Sequence, residues 1–104
     1  MKIYTVVLTS TANECLLNIA KYIALDSPVK AESFIDEIVE ALNNTLSVFP
    51  FAGRVYDEIA TLSEIRTLPY KKYISFYRVS HDVVEILFIF NSAQNIKKIL
   101  ASFN

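Results

Sequence analysis

A chain of 104 residues is long enough for one domain with a single core, so we predict one domain over residues 1–104. A hydrophobic content of 53% with one glycine excludes a disordered chain, and the lone Cys15 excludes an internal disulfide. The net charge of −1 predicts no polyanion partner, although residues 1–64 carry four cations and nine acids (−5) and residues 65–104 carry six cations and two acids (+4).

The uneven distribution of charge allows two interpretations. In the first, the C-terminal part forms a positive face. In the second, the acidic N-terminal part and the basic C-terminal part mainly attract each other, or their charges are scattered over the surface. No stretch reaches the roughly 18 apolar residues that span a bilayer, and the N-terminus lacks the layout of a signal peptide. We therefore expect a soluble protein of the cytoplasm, which also suits a free cysteine.

The first predicted element is a strand over Lys2–Leu8, which we expect to be buried on much of both faces. A helix follows to about Leu25, capped either by Thr9 or by Thr11 with Glu14 at capping-box spacing. Its apolar stripe comprises Ala12, Leu16, Ile19 and Ile23. This periodicity predicts an amphipathic helix.

The second predicted helix follows residues that both end the first helix and begin a new one. Ser27 suits the N-cap and Pro28 the first helical position, and the helix runs to about Val48 because Pro50 ends it. A link this short predicts that the two helices form an antiparallel hairpin. The acids of the second helix (Glu32, Asp36, Glu37, Glu40) are typical of a solvated face.

A turn over Phe49–Arg54 contains Gly53, the only glycine of the chain. Such a glycine usually marks a positive φ or a close backbone approach. Arg54 either faces a ligand or neutralises the end or the acids of the second helix. Val55–Leu62 is a connector without a clear pattern.

Three extended runs and a tail complete the chain. Ile65–Tyr70 predicts a strand that Pro69 places at an edge or ends, and Tyr73–Val79 and Val83–Phe90 predict a hairpin around Ser80, His81 and Asp82. Asn91–Asn104 is a short amphipathic helix or a partly ordered tail, which either covers the sheet or awaits a partner. Its apolar side comprises Ala93, Ile96, Ile99, Leu100 and Phe103.

Cations alternate with tyrosines through these strands. The cations are Arg66, Lys71, Lys72 and Arg78, and the tyrosines are Tyr70, Tyr73 and Tyr77. This pattern suits contact with phosphates and stacking on bases, or it is a sheet edge that lysines protect from aggregation. Strand parity places Arg78 with apolar neighbours, which also allows a paired structural role.

The order strand, helix, helix and three strands carries short motifs at regular places. They are Leu8-Thr9, Ile19–Ala24, Ser27-Pro28 with Ala31 and Phe34, Leu46, Phe49-Pro50-x-x-Gly53-Arg54, Ile65-Arg66-x-Leu68, Tyr73-x-x-Phe76-Tyr77-Arg78-Val79 and Val84-x-Ile86-Leu87. Over residues 3–94 this series resembles the RelE/ParE superfamily of toxins from bacterial toxin–antitoxin modules.

The resemblance implies an α+β fold. Its expected parts are an N-terminal strand, an antiparallel helical hairpin packed on a twisted antiparallel sheet, and a short C-terminal helix or tail. It also implies neutralisation by a cognate antitoxin, for which we expect Ile96, Ile99, Leu100 and Phe103 to form the contact. RelE-like members cut mRNA on the ribosome, whereas ParE-like members inhibit DNA gyrase.

The end of the last strand departs from the nuclease pattern. Cleavage through a 2′-hydroxyl needs a base, an acid and cations, but Asn91 stands where many relatives have a histidine. The only histidine, His81, is more typical of an exposed turn. The helical hairpin and the Phe49–Arg54 turn also look ParE-like. We therefore expect a gyrase inhibitor that needs no cofactor or metal.

Two other hypotheses stay open, an RNA-cutting or other nuclease and an inactive module that keeps the fold. For the gyrase inhibitor, the expected target-binding residues are Arg54, Arg66, Tyr70, Lys71, Lys72, Arg78, Asn91 and Gln94. For a nuclease, the catalytic candidates are Arg66, Arg78, Lys71, Lys72 and Tyr73. Cys15 is expected to be a small buried hydrophobic residue.

Overall fold

Two long helices begin at side-chain caps. The computed structural model describes residues 2–57 and 64–101. Helix α1 spans Ser10–Ala24, and Thr9 is its N-cap because the hydroxyl of Thr9 accepts a hydrogen bond from the amide of Ala12. The same hydroxyl donates to the carbonyl of Ile86, so the cap also ties the helix to the sheet. This second contact explains why Thr9, and not Thr11, occupies the cap.

Helix α2 spans Pro28–Leu46, with Ser27 as N-cap and Pro28 in the first turn, as predicted. Its buried stripe faces α1 and the sheet and comprises Ala31, Phe34, Ile38, Leu42 and Leu46. The two helices pack directly against each other, which confirms the predicted hairpin.

The sheet has five strands in the order β1-β5-β4-β3-β2. They are β1 (Thr5–Leu8), β2 (Arg54–Val55), β3 (Arg66–Tyr70), β4 (Tyr73–Ser80) and β5 (Val83–Asn91). The pairs β3–β4 and β4–β5 are antiparallel, as predicted. The strand β2, which was not predicted, adds an antiparallel pair with β3, whereas β1 pairs with β5 in parallel, so the sheet as a whole is mixed. The parallel pairing is possible because the helical hairpin carries the chain away from β1 before it returns.

The first strand differs from its prediction in length and in burial. The regular strand covers Thr5–Leu8 and lies at an edge, so the expectation of a strand over Lys2–Leu8 buried on both faces is wrong. Val6 and Leu8 are half-buried beneath the helices, whereas Thr5 and Val7 are exposed. The continuous β-forming run therefore belongs to a strand covered on one face.

Both hairpin turns contain a residue with positive φ. Lys71 and Lys72 connect β3 to β4, and His81 and Asp82 connect β4 to β5. The φ angles of Lys71 and His81 are 55° and 57°, in the left-handed region. Pro69 is tolerated in β3 because β2 pairs only with Arg66 and Thr67, which leaves the edge open beside the proline.

Apolar side chains fill both faces of the sheet. The helix-side cluster contains Tyr73, Tyr77, Val84, Ile86 and Ile89 with the buried faces of α1 and α2. The opposite cluster is centred on Ile65, Phe76 and Phe90. Cys15 packs against both clusters and is partly buried, in agreement with its expected apolar role.

A third helix, α3, spans Ile96–Ala101 and covers the opposite cluster. Its side chains Ile96, Ile99 and Leu100 pack there and are half-buried. Of the two alternatives for the tail, the described residues adopt the one in which a short helix covers the sheet. Within residues 2–57 and 64–101, no helix has the length and apolarity to cross a membrane.

Candidate target-binding surface

The side chains of the cations predicted to form one site do not converge. Arg66 begins β3, and Lys71 follows its end in the β3–β4 turn, so about 16 Å of extended chain separates them. Arg78 lies near the far end of β4, directly after Tyr77, which is the register partner of Arg66. The two arginines are therefore close along the backbone, but strand alternation directs their side chains to opposite faces of the sheet. Each of these three cations contacts a different carboxylate, as described next.

Arg66 holds the turn between α2 and β2. Its Nη1 donates to the carbonyl of Gly53 at 2.8 Å and to that of Phe51 at 3.3 Å, and its Nη2 lies 2.6 Å from a carboxylate oxygen of Glu64. The guanidinium also lies over the ring of Phe51, 5.2 Å from its centroid. The side chain is 19% exposed, and its two terminal nitrogens contact the turn and Glu64, whereas its buried Nε has no hydrogen-bond partner among the described residues.

Tyr77 holds the same turn through its buried hydroxyl group. Its buried hydroxyl oxygen accepts a hydrogen bond of 2.8 Å from the amide of Gly53. Burial raises the pKa of the Tyr77 phenol, while the hydrogen bond from Gly53 and the charge of Arg66 oppose that shift. A Cβ on Gly53 would lie 2.5 Å from both the Tyr77 hydroxyl and the carbonyl oxygen of Thr67. The glycine is therefore required by close approach and not by a positive φ.

This turn presents exposed side chains at the β2 edge of the sheet. Phe49 is 65% exposed and Phe51 57%, and Arg54 and Val55 are also exposed. Arg54 accordingly faces solvent, while its backbone carbonyl accepts from the hydroxyl of Thr67. Of the two interpretations of Arg54, the exposed position suits contact with a partner.

Arg78 forms a hydrogen-bonded ion pair with Glu85 on the neighbouring strand. The distance from Nε of Arg78 to Oε1 of Glu85 is 2.9 Å, and the two residues are in direct register. Cross-strand pairs of opposite charge stabilise a sheet modestly. The pairing matches the structural role that strand parity allowed for Arg78.

The β3–β4 turn carries a second group of polar side chains. Nζ of Lys71 lies 3.1 Å from Oε2 of Glu37 on α2, and the hydroxyl of Tyr70 lies 3.4 Å from the same oxygen. The hydrogen bond and the charge of Glu37 raise the pKa of Lys71. Because Lys71 is fully exposed, solvent screens this pair strongly.

Asn91 and Gln94 form a closed turn next to Lys72. Oε1 of Gln94 accepts from the amide of Asn91 at 3.1 Å, and Oδ1 of Asn91 accepts from the amide of Ala93 at 2.9 Å. The amide and the hydroxyl of Ser92 both donate to the carbonyl of Lys72. The five residues Tyr70, Lys71, Lys72, Asn91 and Gln94 thus share one end of the molecule, which we call the turn surface.

A groove opens beside the turn surface, between α1 and α3. Its volume is about 640 Å³. Its lining is apolar at Ile19, Tyr73, Ile89, Phe90 and Ile99 and polar at Asn18, Asn91 and Gln94. A mainly apolar cleft with a few polar groups is the usual form of a binding site.

Proton transfer has little support at the turn surface. Tyr73 is 4% exposed, and its ring packs on the ring of Phe34 with the two centroids 4.9 Å apart. The side chain of Tyr73 is therefore part of the core. The amides of Asn91 and Gln94 do not exchange protons near neutral pH. His81 lies in the β4–β5 turn and is exposed, as expected. In the described part of the chain, no group of three or more His, Cys, Asp or Glu residues is arranged to hold a metal ion.

The residues expected to contact an antitoxin occupy α3. Ile96, Ile99 and Leu100 rest on the cluster around Phe76 and Phe90, whereas Phe103 lies outside the described residues. Three other residues were missed as partners, namely Glu37, Tyr77 and Glu85. The close backbone approach at Gly53 was one of its two predicted roles and is confirmed. Strand register would have paired Arg78 with Glu85, but no local signal connects Glu37 to Lys71, because they are distant in sequence.

Comparisons with known proteins show the family and the fold of this chain. The sequence matches the family model for the ParE toxin of the type II toxin–antitoxin system parDE over residues 6–96. Among solved structures, a chain of the chromosomal ParDE toxin–antitoxin system from P. aeruginosa has a TM-score of 0.70 and 25% identity, with 86% of this chain and 96% of that chain covered.

A second solved structure is also similar. A chain of the RelBE2 toxin–antitoxin complex from Mycobacterium tuberculosis has a TM-score of 0.65 and 25% identity, with 90% of this chain and 97% of that chain covered. A search of curated protein sequences gives no match.

Proposed function

The chain belongs to the ParE toxin family of type II toxin–antitoxin systems, and from this premise we propose that it inhibits DNA gyrase by binding, without cutting nucleic acid. The observation that carries the proposal is the dispersal of the sheet cations among separate partners. Arg66 serves the Gly53 turn, Lys71 contacts Glu37, and Arg78 contacts Glu85.

Geometry weighs against a nuclease site. A base, an acid and a stabilising cation must all come within about 3 Å of the atoms they act on around one phosphate. Arg66 and Lys71 are about 16 Å apart along β3. Arg78 is close to Arg66 across the β3–β4 pair, but its side chain points to the opposite face of the sheet, where it contacts Glu85. Tyr73, the candidate base, has its ring in the core.

The turn surface and the adjoining groove suit protein recognition. Lys72 is exposed, Asn91 and Gln94 offer amide groups at the rim, and the floor is apolar. Protein interfaces combine an apolar centre with a polar rim in this way. We assign gyrase binding to this surface, with Arg54 and the exposed Phe51 as a second contact at the β2 edge.

We further propose that a cognate antitoxin neutralises the toxin by contacting α3. Both similar structures are described as toxin–antitoxin systems or complexes. Ile99 and Leu100 are only half-buried against the sheet, so a partner helix gains apolar contacts there.

Expression of the toxin alone in growing bacteria tests this proposal. The expected result is growth arrest with DNA damage and full-length mRNA, because the target is a topoisomerase. The variant Lys71→Gln/Lys72→Gln should lose most of this effect, whereas Lys2→Ala/Lys30→Ala, which removes the same charge elsewhere, should keep it. Rapid mRNA cleavage without DNA damage would contradict the proposal, and unimpaired growth would favour an inactive module.

A further inference from the structure

The groove between α1 and α3 has a lining without charges. Of the described residues that line it, none is an acid, a lysine, an arginine or a histidine. Such residues make up a fifth of the chain, since its charged fraction is 20%, so their absence from this lining selects among ligands. A charged ligand would lose hydration in the groove without gaining an ion pair. The ligand that fits is therefore uncharged.

The floor of the groove is apolar and deeply buried. Ile89 is 1% exposed and Phe90 is 8% exposed, while Ile19 of α1 and Ile99 of α3 form the walls. The volume of about 640 Å³ lies within the roughly 300–1,000 Å³ of pockets that enclose small molecules. The space therefore suits an organic molecule with a large apolar part.

One polar group stands among these apolar side chains, the hydroxyl of Tyr73. This side chain lines the groove and is 4% exposed. Within residues 2–57 and 64–101 its hydroxyl forms no hydrogen bond, and the unpaired side-chain atoms that are sealed from solvent there are Nε of Arg66 and Oγ of Ser75. The hydroxyl of Tyr73 is therefore open to the groove. Because buried polar groups are normally paired, it marks the place of a ligand atom.

The rim of the groove offers donors rather than acceptors. Oδ1 of Asn91 and Oε1 of Gln94 each accept a hydrogen bond from a backbone amide of their own turn. A side-chain amide has one oxygen and one NH2 group, so these two residues present their NH2 groups to a ligand. The hydroxyl of Tyr73 also donates. A carbonyl oxygen on the ligand matches donors of this kind.

Three aromatic rings, those of Tyr22, Tyr73 and Phe90, line the groove. Aromatic rings pack favourably on one another in offset and edge-on arrangements. We propose that the groove binds a small, uncharged aromatic molecule that carries a carbonyl oxygen, and that this oxygen accepts a hydrogen bond from the hydroxyl of Tyr73. The inference does not depend on the proposed function, because its test measures binding in the absence of gyrase.

NMR titration of the full chain with tetralone, a bicyclic aromatic ketone, tests the proposal. The expected result is saturable shifts centred on Ile19, Ile89 and Ile99. Tetralin, which has the same rings without the carbonyl oxygen, should bind about fivefold more weakly because one hydrogen bond is lost. Naphthoate, an aromatic anion of similar size, should not saturate. No saturable shift, equal binding of tetralone and tetralin, binding of naphthoate, or shifts centred elsewhere would overturn the proposal.

Two variants with matched controls place the ligand in the groove. Tyr73→Phe keeps the ring that packs on Phe34 and should weaken tetralone about fivefold while leaving tetralin unchanged, whereas Tyr4→Phe should affect neither. Ala93→Trp fills the rim and should weaken both ligands at least about tenfold, whereas Ala52→Trp, at an exposed position outside the groove, should not. If Tyr73→Phe bound tetralone as the parent does, or if Ala93→Trp kept full affinity, the assignment would be wrong.

Discussion

At the scale of single residues, two side chains of the sheet determine the turn that leads into it. Arg66 donates to the carbonyls of Phe51 and Gly53, and Tyr77 accepts from the amide of Gly53. The identity of these residues was visible in the sequence, but their partners were not. Arg66 therefore looked like a cation available to a ligand, although its side chain is largely buried in a structural contact.

The variant Arg66→Ala should lower the free energy of unfolding by about 1–3 kcal/mol, because the part-buried carbonyl of Gly53 loses its charged donor. Arg54→Ala removes an exposed guanidinium from the same edge and should stay within about 0.5 kcal/mol of the parent. Urea unfolding of both variants measures the difference. Equal stability of the two variants would show that Arg66 does not support the turn.

Tyr77 predicts a pH dependence of stability. Its pKa is raised in the folded state, so the folded protein retains the phenol proton more strongly than the unfolded chain does. This contribution is complete below the ordinary tyrosine pKa of about 10 and is lost as the pH rises through the folded value. Thermal unfolding between pH 9 and 12 should therefore show an alkaline fall that Tyr77→Phe makes shallower.

The matched control for this experiment is Tyr22→Phe, since Tyr22 is 71% exposed. At neutral pH, Tyr77→Phe should also cost about 1–3 kcal/mol, because the amide of Gly53 loses its buried acceptor. If both phenylalanine variants kept the alkaline slope of the parent, Tyr77 would not be its source.

At the scale of elements, local sequence signals predict where the helices begin better than they predict which strands pair. The caps Thr9 and Ser27 and the proline at the start of α2 are encoded within a few residues, so the helices were predictable to within their end positions. The parallel pairing of β1 with β5 joins residues from opposite ends of the chain. No short-range pattern distinguishes such an edge strand from a buried one.

The hairpin turns allow a test at this scale. His81 has a φ of 57°, whereas Asp82, the other residue of the same turn, does not have a positive φ. Because glycine adopts positive φ without strain, His81→Gly should raise the free energy of unfolding by up to about 1 kcal/mol. Asp82→Gly should lower it, since flexibility increases without any relief of strain. If both variants shifted the urea midpoint in the same direction from that of the parent, this account of the turn would be wrong.

At the scale of the whole molecule, both faces of one sheet are covered, and the proposed gyrase contacts lie at one end of the molecule and at the β2 edge. The helical hairpin covers one face, α3 covers the other, and Arg66, Lys71 and Arg78 each contact a different carboxylate. The sequence located the sheet cations, but their separate pairing depends on strand register and on Glu37 of α2. That separate pairing is the reason for expecting binding rather than catalysis.

The most direct test of this account is a supercoiling assay with purified gyrase and purified toxin, with RNA included in a parallel reaction. The account predicts dose-dependent loss of supercoiling, weakened in Lys71→Gln/Lys72→Gln and retained in Lys2→Ala/Lys30→Ala, while the RNA stays intact. Unchanged supercoiling together with RNA cleavage that Arg66→Ala and Arg78→Ala abolish would contradict it.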